Sequence, residues 1–429
     1  MAKVLSIIAK IFIARKISTL AMSVYSLTIP TLSLLLNFAQ LGIPTTVSKL
    51  IAKKKYSIFK IMQVSLLILL LIDTIVGGIY IAFVPTIANQ YLKNELTTLT
   101  LYGMVLLLPL ISLTSLLKGY FIGIDKIEKT SFCQISEEIS RLLFIVLIVE
   151  IVDKNNISVL SFVAMFSSII GEIASLVHLI ISLNVKDKNT IKRFSQNNQE
   201  NFKISKQIIK FSLMSTSTKM IGSIIYFFEP IIYTNLMIKS NVSKEMLTIE
   251  YGTVNSYVFP LLLLPTFFSN CISTYMLPKL SKNISDNNYI NSKRLFFKLT
   301  IISFSIGLLS MIIIFSFPKL FTHILYGKEI GIDYIRKYSL FLSIYFIQMP
   351  IHMSLIAFDK EKSLLIESIL CNIIRVACFF IFIPIFKTDG MIISIIISIY
   401  LSCIIHIFTL FKCFRSLKEK SQFSININT

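Results

Sequence analysis

Two stretches, DKIEKTSFCQISEEISR at 125–141 and DKEKSLLIESILCNIIR at 359–375, contain the same features in the same order. Each begins with Asp-Lys, passes through a polar turn and enters an apolar run. Each also places an arginine 16 positions after its first aspartate, Arg141 in one and Arg375 in the other. A shared order and spacing of this kind predicts an internal repeat.

A second pair of matches supports this repeat. Pro30 precedes Lys49 by 19 positions, and Pro260 precedes Lys279 by 19. The offset between these two copies is nearly the same as the offset that separates Asp125 from Asp359. Because two separate spacings recur at nearly one offset, we predict that the chain consists of two homologous halves.

Composition defines the class of protein. The 429 residues are 55% hydrophobic and 15% charged, with a mean hydropathy of +0.77, which leaves too little polar surface for a soluble protein of this length. Apolar runs of about twenty residues recur along the chain, and they are continuous rather than alternating. The predicted fold class is therefore an all-α polytopic membrane protein.

We predict about twelve transmembrane helices in two six-helix lobes, arranged as a parallel pseudo-two-fold repeat. The helices cover 1–17, 25–47, 61–84, 99–124, 131–151, 158–183, 206–238, 251–277, 295–317, 334–358, 364–386 and 391–411. The predicted domains are an N-terminal lobe at 1–183, a cytoplasmic linker at 184–205, a C-terminal lobe at 206–412 and a cytoplasmic tail at 413–429. The first helix is short, barely long enough to span.

The distribution of basic residues predicts the orientation. One set of alternate loops holds 26 Lys and Arg residues and the opposite set holds 11, so the first set, with both termini and the linker, is expected on the cytoplasmic side of the membrane. This pattern accounts for the net charge of +20 without a nucleic-acid partner. The six cysteines lie in or at the ends of apolar runs and form no CxxC pair, so we predict neither disulfides nor a metal site.

Depth makes the two repeated arginines candidates for function. Each lies about eleven residues into its apolar run, roughly 15 Å along a helix and so near the middle of a hydrocarbon core about 30 Å thick. A cation at that depth faces protein or a water-filled cavity. For Arg141 a structural ion pair is an equal alternative, because Glu137 and Glu138 precede it by four and three residues. Arg375 has no acid at such spacing, which favours a cavity.

Several stretches resemble the multidrug/oligosaccharidyl-lipid/polysaccharide (MOP) exporter superfamily, and most closely its polysaccharide-biosynthesis, or oligosaccharide flippase, branch. The matching residues are Ala14-Arg15, Pro30, Gln40–Pro44, Val47–Leu50, Gly119–Gly123, Pro260, Leu277–Leu280 and Leu325–Gly327. The resemblance covers about residues 5 to 412. It implies two lobes in a MATE-like V that work by alternating access, a lipid-linked saccharide as cargo, and cavity-lining basic residues in the first helix at Arg15 and Lys10.

An anionic glycolipid needs cations at mid-depth, because bare charge is costly in hydrocarbon. Lys219, thirteen residues into the seventh helix, is the strongest candidate, and Lys10 and Arg15 have the alternative of snorkelling to the faces. Glu229, before Pro230, marks a predicted break in that helix. It is an ion-coupling candidate, with a surface-facing acid at a kink as the alternative.

Asp73 and Glu172 are further ion-coupling candidates because they lie within apolar runs. His178, His352 and His406 are interpreted as packing residues. No catalytic or nucleotide-binding motif is visible, so we predict no enzyme activity and no cofactor. An H⁺ or Na⁺ gradient, or the membrane potential, is the expected energy source.

The function predicted from these observations is a flippase for lipid-linked precursors of envelope polysaccharide or peptidoglycan in the cytoplasmic membrane. Its expected partners are the lipid-linked substrate and membrane lipids, and the sequence does not indicate an oligomeric state. The alternatives are a cation-coupled multidrug exporter of the same superfamily, a non-transporting scaffold, and a membrane enzyme such as a lipid-sugar polymerase. The deep cations favour anionic cargo over cationic drugs, and the short outer loops argue against the enzyme.

Overall fold

The computed structural model describes residues 2–53, 56–183 and 198–428, and within these ranges every regular element is a helix. The first half contains α1 (Ala2–Lys16), α2 (Thr19–Gln40), α3 (Ile43–Ala52), α4 (Ile58–Thr86), α5 (Thr98–Gly103), α6 (Leu107–Gly123), α7 (Ile127–Ile148) and α8 (Ile157–Ile181). The rest contains α9 (Asn198–Lys239), α10 (Lys244–Gly252), α11 (Phe259–Leu263), α12 (Thr266–Ser285), α13 (Tyr289–Ser316), α14 (Pro318–Tyr326), α15 (Ile332–Tyr338), α16 (Tyr345–Ala357), α17 (Glu361–Phe386) and α18 (Thr388–Asn428).

The helices confirm the predicted polytopic membrane fold. In the described ranges, 8 stretches are long and apolar enough to cross a membrane, and two pairs bent by 51° and 57° raise the number to 10. The two remaining predicted spans are also helical. α1 has only 15 residues, and α7 carries the charged side chains Glu137, Glu138 and Arg141 within its 22 residues. α1 therefore differs from the other spans in its length, and α7 differs from them in its charge.

Several of the predicted helix boundaries need correction. The second helix is interrupted after α2, where Leu41 and Gly42 have φ of 40° and 62°, a left-handed conformation that ends a helix. α9 continues through Pro230, so the predicted break there is wrong. A single proline removes one backbone donor, and a long helix packed in a bundle tolerates that loss.

Helices also extend into the predicted linker and tail, whose roles stay predictions. α9 begins at Asn198, so the last part of the predicted linker 184–205 is helical, while 184–197 lies outside the described residues. α18 extends to Asn428, so the predicted tail continues the last helix.

The repeated stretches have the same local backbone geometry. Asp125 and Asp359 both adopt left-handed φ, 62° and 57°. In the first copy the Lys126 amide donates to the Phe121 carbonyl at 2.8 Å, and in the second the Lys360 amide donates to that of Leu355 at 3.0 Å. This is the hydrogen-bond pattern of a Schellman cap. In both copies the next helix, α7 or α17, begins directly after this Asp-Lys pair. Superposition of the complete halves stays a prediction.

The described residues pack into two compact units. Unit 1 comprises Met1–Ile238 with Val242–Gly252, and unit 2 comprises Lys239–Asn241 with Thr253–Thr429. This division differs from the predicted lobes because α9 packs with the first unit. The lobes, which were predicted from the repeat, remain a separate prediction. Ser212 on α9 donates a hydrogen bond to Thr46 at 3.1 Å, and Ile208 lies in the same apolar core as Ile43.

Close packing joins α10 to α2 within unit 1. A Cβ atom at Gly252 would lie 2.3 Å from the Ser23 Cα, a distance that real side chains do not allow. Only glycine fits at this crossing, because the neighbouring atom belongs to the backbone and cannot rotate away.

Candidate functional site

Unit 1 contains a cluster of charged side chains, which we call the charged centre: Lys118, Glu137, Glu138, Arg141 and Glu172. Arg141 on α7 forms ion pairs with Glu137 at 3.2 Å and Glu138 at 3.3 Å. The Arg141 side chain is only 14% exposed. The spacing of the two acids from Arg141 thus produces two ion pairs. These contacts favour the interpretation of Arg141 as a residue that stabilises the fold.

Helices α6 and α8 complete the charged centre. Lys118 on α6 lies 3.8 Å from Glu137, and Thr114 donates a hydrogen bond to Glu172 at 2.9 Å. Gly171 allows the close approach of α8, since a Cβ there would lie 3.1 Å from the Glu137 Cγ. The predicted candidates Arg141 and Glu172 therefore belong to one centre between three helices.

Helix α1 adds the next charge. Lys10 is within electrostatic range of both Arg141 and Glu138. Near the end of α1, Arg15 is exposed, and the adjacent Lys16 forms an ion pair with Glu150 at 3.2 Å. Lys154 forms a second ion pair with the exposed Glu150, at 3.1 Å. Of the two predicted cations of the first helix, Lys10 lies beside the charged centre and Arg15 lies towards the helix end.

Asp73 is a second buried acid of unit 1. Its side chain accepts a hydrogen bond from Ser112 at 3.0 Å through Oδ1. The other oxygen, Oδ2, is buried and has no hydrogen-bond partner among the described residues. A carboxylate oxygen left in this way is costly unless it binds a proton or a cation, which is consistent with an ion-coupling site.

The remaining predicted residues are not among the five residues that define the charged centre. Lys219 is exposed on α9 in unit 1, and Glu229, ten residues further along the same helix, is buried. Arg375 is half-buried on α17 in unit 2. Lys219 and Arg375 thus belong to different units, and their facing a common cavity stays a prediction.

An apolar groove of about 730 Å³ runs along unit 1 between α4 and α9. Leu41, Val64, Leu71, Phe202 and Ile208 are among the side chains that line it. Close to this part of α9, Lys49 and Lys53 place their ammonium groups 4.7 and 5.4 Å from the ring centre of Phe211. Sequence reasoning did not find this groove, because it depends on how the two helices are rotated against each other.

Sequence reasoning also missed Glu367. This acid is buried on α17 in unit 2, and its Oε1 lies 2.8 Å from the Nε2 of His406 on α18. His406 is thus buried, as expected for a packing residue, and also lies within hydrogen-bond distance of an acid. His178, which donates to or accepts from Ser136 at 2.9 Å, is likewise hydrogen-bonded. An acid near the start of an apolar run was the available signal for Glu367.

Comparison with known proteins identifies similar families and folds. Residues 1–284 match the polysaccharide biosynthesis protein family. The chain is 25% identical over 419 residues to stage V sporulation protein B of Bacillus subtilis (strain 168), with coverage of 96% of this chain and 81% of that protein. It is 20% identical over 395 residues to sporulation protein YkvU of the same organism, covering 89% and 84%.

Two solved structures have the same fold. A multidrug resistance MATE family transporter of the MOP superfamily, in an inward-facing conformation, matches with a TM-score of 0.75 and 15% identity over 98% of this chain and 96% of that one. The lipid II flippase MurJ, in an inward closed conformation, matches with a TM-score of 0.69 and 14% identity over 99% and 90%. At these identities the likeness concerns the fold, and it agrees with the resemblance seen in the sequence.

Proposed function

The chain belongs to the polysaccharide biosynthesis protein family, and from this premise we propose that it moves a lipid-linked saccharide precursor across the cytoplasmic membrane by alternating access. The cargo class is the one expected for an envelope polymer, polysaccharide or peptidoglycan. The relative named stage V sporulation protein B supports this proposal, since the match extends over 96% of the chain. The similar solved structures are a transporter and a flippase rather than enzymes.

The observation that carries the proposal is the apolar groove of unit 1 beside a basic helix end. A lipid-linked saccharide has a long apolar tail joined through phosphate to a polar head. The groove, at about 730 Å³, offers apolar lining for part of a tail. Lys49 and Lys53 at the end of α3 both place their ammonium groups over the ring of Phe211. Two positive charges at one place attract an anion.

The predicted cations have two different roles in this proposal. Lys10 and Arg141 lie at the charged centre, whereas Arg15, Lys219 and Arg375 lie elsewhere on their helices. In this proposal Lys219 and Arg375 hold phosphate, while Arg141 keeps the centre folded through its two acids. A permanent positive charge at mid-depth suits phosphate and repels cationic drugs.

An ion gradient supplies the energy in this proposal, with H⁺ or Na⁺ as the coupling ion. Asp73, Glu172 and Glu229 are the proposed coupling acids of unit 1, and Asp73 has an oxygen without a partner in the described part of the chain. Loss of the ion dependence of transport in Asp73→Asn would support this assignment, and unchanged dependence would contradict it.

The second candidate function is cation-coupled export of drugs. It is favoured by the fold match to the multidrug resistance MATE family transporter, whose TM-score of 0.75 exceeds that of the flippase. The family match of residues 1–284 and the basic side chains beside the groove favour the saccharide precursor instead.

Depletion of the protein from its own cells tests the cargo. A flippase that is removed leaves its substrate on the cytoplasmic leaflet, so we expect a lipid-linked saccharide to accumulate several-fold in the lipid extract. Mass spectrometry of that extract identifies the saccharide. An unchanged lipid-linked pool, together with increased sensitivity to cationic drugs, would favour the exporter.

The chain is a multi-pass membrane protein, and we propose that both of its ends face the cytoplasm. The 26 basic residues of one set of loops against 11 in the other support this orientation. Reporter domains fused after Thr429 and within 184–205 should therefore both be active in the cytoplasm. An external reporter at either position would overturn the proposed topology.

A further inference from the structure

A chain of hydrogen bonds lies buried in unit 2 between α16, α17 and α18. The Gln348 amide donates to the Ser402 hydroxyl at 3.1 Å, and this hydroxyl donates to the Glu367 Oε1 at 3.0 Å. The Nε2 of His406 lies 2.8 Å from the same oxygen. The Glu367 Oε1 therefore accepts the Ser402 hydroxyl and, in the tautomer of His406 that carries its proton on Nε2, also accepts the Nε2–H of His406.

Each of the two histidines of this site has one ring nitrogen without a hydrogen-bond partner among the described residues. Glu367 and His406 are each 4% exposed, and the ring of His352 lies 6.0 Å, centre to centre, from that of His406. The Nδ1 atoms of His352 and His406 are buried without a hydrogen-bond partner among the described residues. A proton therefore has a place to bind at either Nδ1, while the Nε2 of His406 stays on Glu367.

The predicted repeat gives this site a counterpart in unit 1. When the second copy is aligned on the first so that Asp359 matches Asp125, His352 corresponds to Lys118 and His406 corresponds to Glu172. In the same alignment Glu367 corresponds to Cys133, and Lys118 and Glu172 both act electrostatically on Cys133.

In unit 2 the three corresponding residues are also neighbours, because Glu367 and His406 both act electrostatically on His352. The predicted repeat thus places one polar centre at matching positions in each unit. In unit 1 this centre includes Lys118 and Glu172, and in unit 2 it includes two imidazoles.

The other groups around the site carry little charge. The thiols Cys371 on α17 and Cys403 on α18 interact with Glu367, and Tyr345 on α16 interacts with Cys403. Thiols and phenols are neutral at pH 7. The guanidinium of Arg375 is eight residues along α17, roughly 12 Å of helix away. α13, which also packs here, carries no titratable residue after Lys298. α12, which packs against α16, carries Cys271, Tyr275, Lys279 and Lys282.

We propose that Glu367, His406 and His352 form a proton-binding site of unit 2 and that this site couples proton movement to transport. With both imidazoles neutral, the three side chains carry one negative charge, and uptake of one proton at an Nδ1 makes them neutral overall. Because net charge is costly in a buried site, the protonated and deprotonated forms favour different packing or hydration around α18. The coupling rests on the proposed transport function, and the proton binding itself does not.

Selective ¹⁵N labelling of histidine tests the proton binding without any cargo. The chain has only 4 histidines, so the imidazole signals of purified protein in nanodiscs can be assigned by single substitutions. We expect one of the pair His352 and His406 to take up a proton between about pH 5 and 8. Glu367→Gln should move its titration midpoint by about one pH unit or more, because it removes a charge in direct contact. The exposed His323 on α14 is the control, and its midpoint should not move.

Ser402→Ala is the second variant, in case Glu367→Gln fails to fold. It removes one hydrogen bond from Glu367 and keeps the charge, so we expect a smaller shift of the same midpoint with His323 unchanged. Failure of both rings to titrate in this range, or a midpoint that is indifferent to both substitutions, would overturn the proton site. Titration as expected, with transport in His406→Gln still following the pH gradient, would overturn the coupling alone.

Discussion

Arg141→Met should lower the free energy of unfolding by about 3–5 kcal/mol, the range found when one partner of a buried ion pair is removed. Arg141 is bonded to Glu137 at 3.2 Å and to Glu138 at 3.3 Å, and both acids are largely buried. The substitution leaves two carboxylates with Lys118 at 3.8 Å from Glu137 and Lys10 within electrostatic range of Glu138. Helix α7 would then lose its fixed position against α6 and α8.

Thermal unfolding of the detergent-purified protein, read by loss of the monodisperse peak in size-exclusion chromatography, measures the effect. Arg141→Lys is the first control, since it keeps the charge and should retain most of the stability. The second control combines Arg141→Met with Glu137→Gln and Glu138→Gln. Removing the stranded charges should restore much of the loss. A melting temperature of Arg141→Met equal to that of the wild type would show that the ion pairs do not hold the fold.

Lys219→Ala should leave the protein folded and abolish transport. Lys219 is exposed on α9, and no hydrogen bond or ion pair to another described residue is seen, so its removal strands no buried acid. Its position, thirteen residues into the predicted seventh span, is too deep for its ammonium group to be an ordinary surface charge. If it holds the phosphate of the cargo, loss of this cation removes a charge-assisted contact that nothing else replaces.

Lys239→Ala is the matched control, because it removes the same charge from an exposed position at the end of the same helix. Arg375→Ala tests the corresponding prediction for unit 2. Yield and melting temperature are compared with rescue of a depleted strain. We expect normal yield without rescue for Lys219→Ala and Arg375→Ala, and full rescue for Lys239→Ala. Rescue by Lys219→Ala would remove this residue from the mechanism, and lost yield would make its role structural.

The sequence was most informative where interactions are local. The 16-residue spacing from Asp125 to Arg141 and from Asp359 to Arg375 correctly indicated two equivalent helix junctions, because a left-handed cap and its hydrogen bonds involve only a few consecutive residues. The bonds of Arg141 to its two acids likewise followed from spacings of three and four residues on one helix face.

Interactions between helices were harder to predict from the sequence. Glu367 and His406 are 39 positions apart, and their contact depends on how α17 and α18 are rotated about their axes. Nearly uniform apolar composition hides that rotation, because the lipid-facing and protein-facing sides of a membrane helix differ little in hydropathy. The same reason explains why the groove between α4 and α9 was not predicted. Pro230 shows the reverse error, since a strong local signal was overridden by the surrounding helix packing.

Translocation by the purified protein tests the proposed function most directly. Proteoliposomes are loaded with the lipid-linked saccharide that accumulates on depletion, and an enzyme or lectin added outside reports how much of it faces outward. We expect the inward-facing pool to become accessible several-fold faster with wild-type protein than in protein-free vesicles or with Lys219→Ala, and faster still under an ion gradient. Equal rates with and without folded wild-type protein, under every gradient, would contradict the assignment of the chain as a flippase.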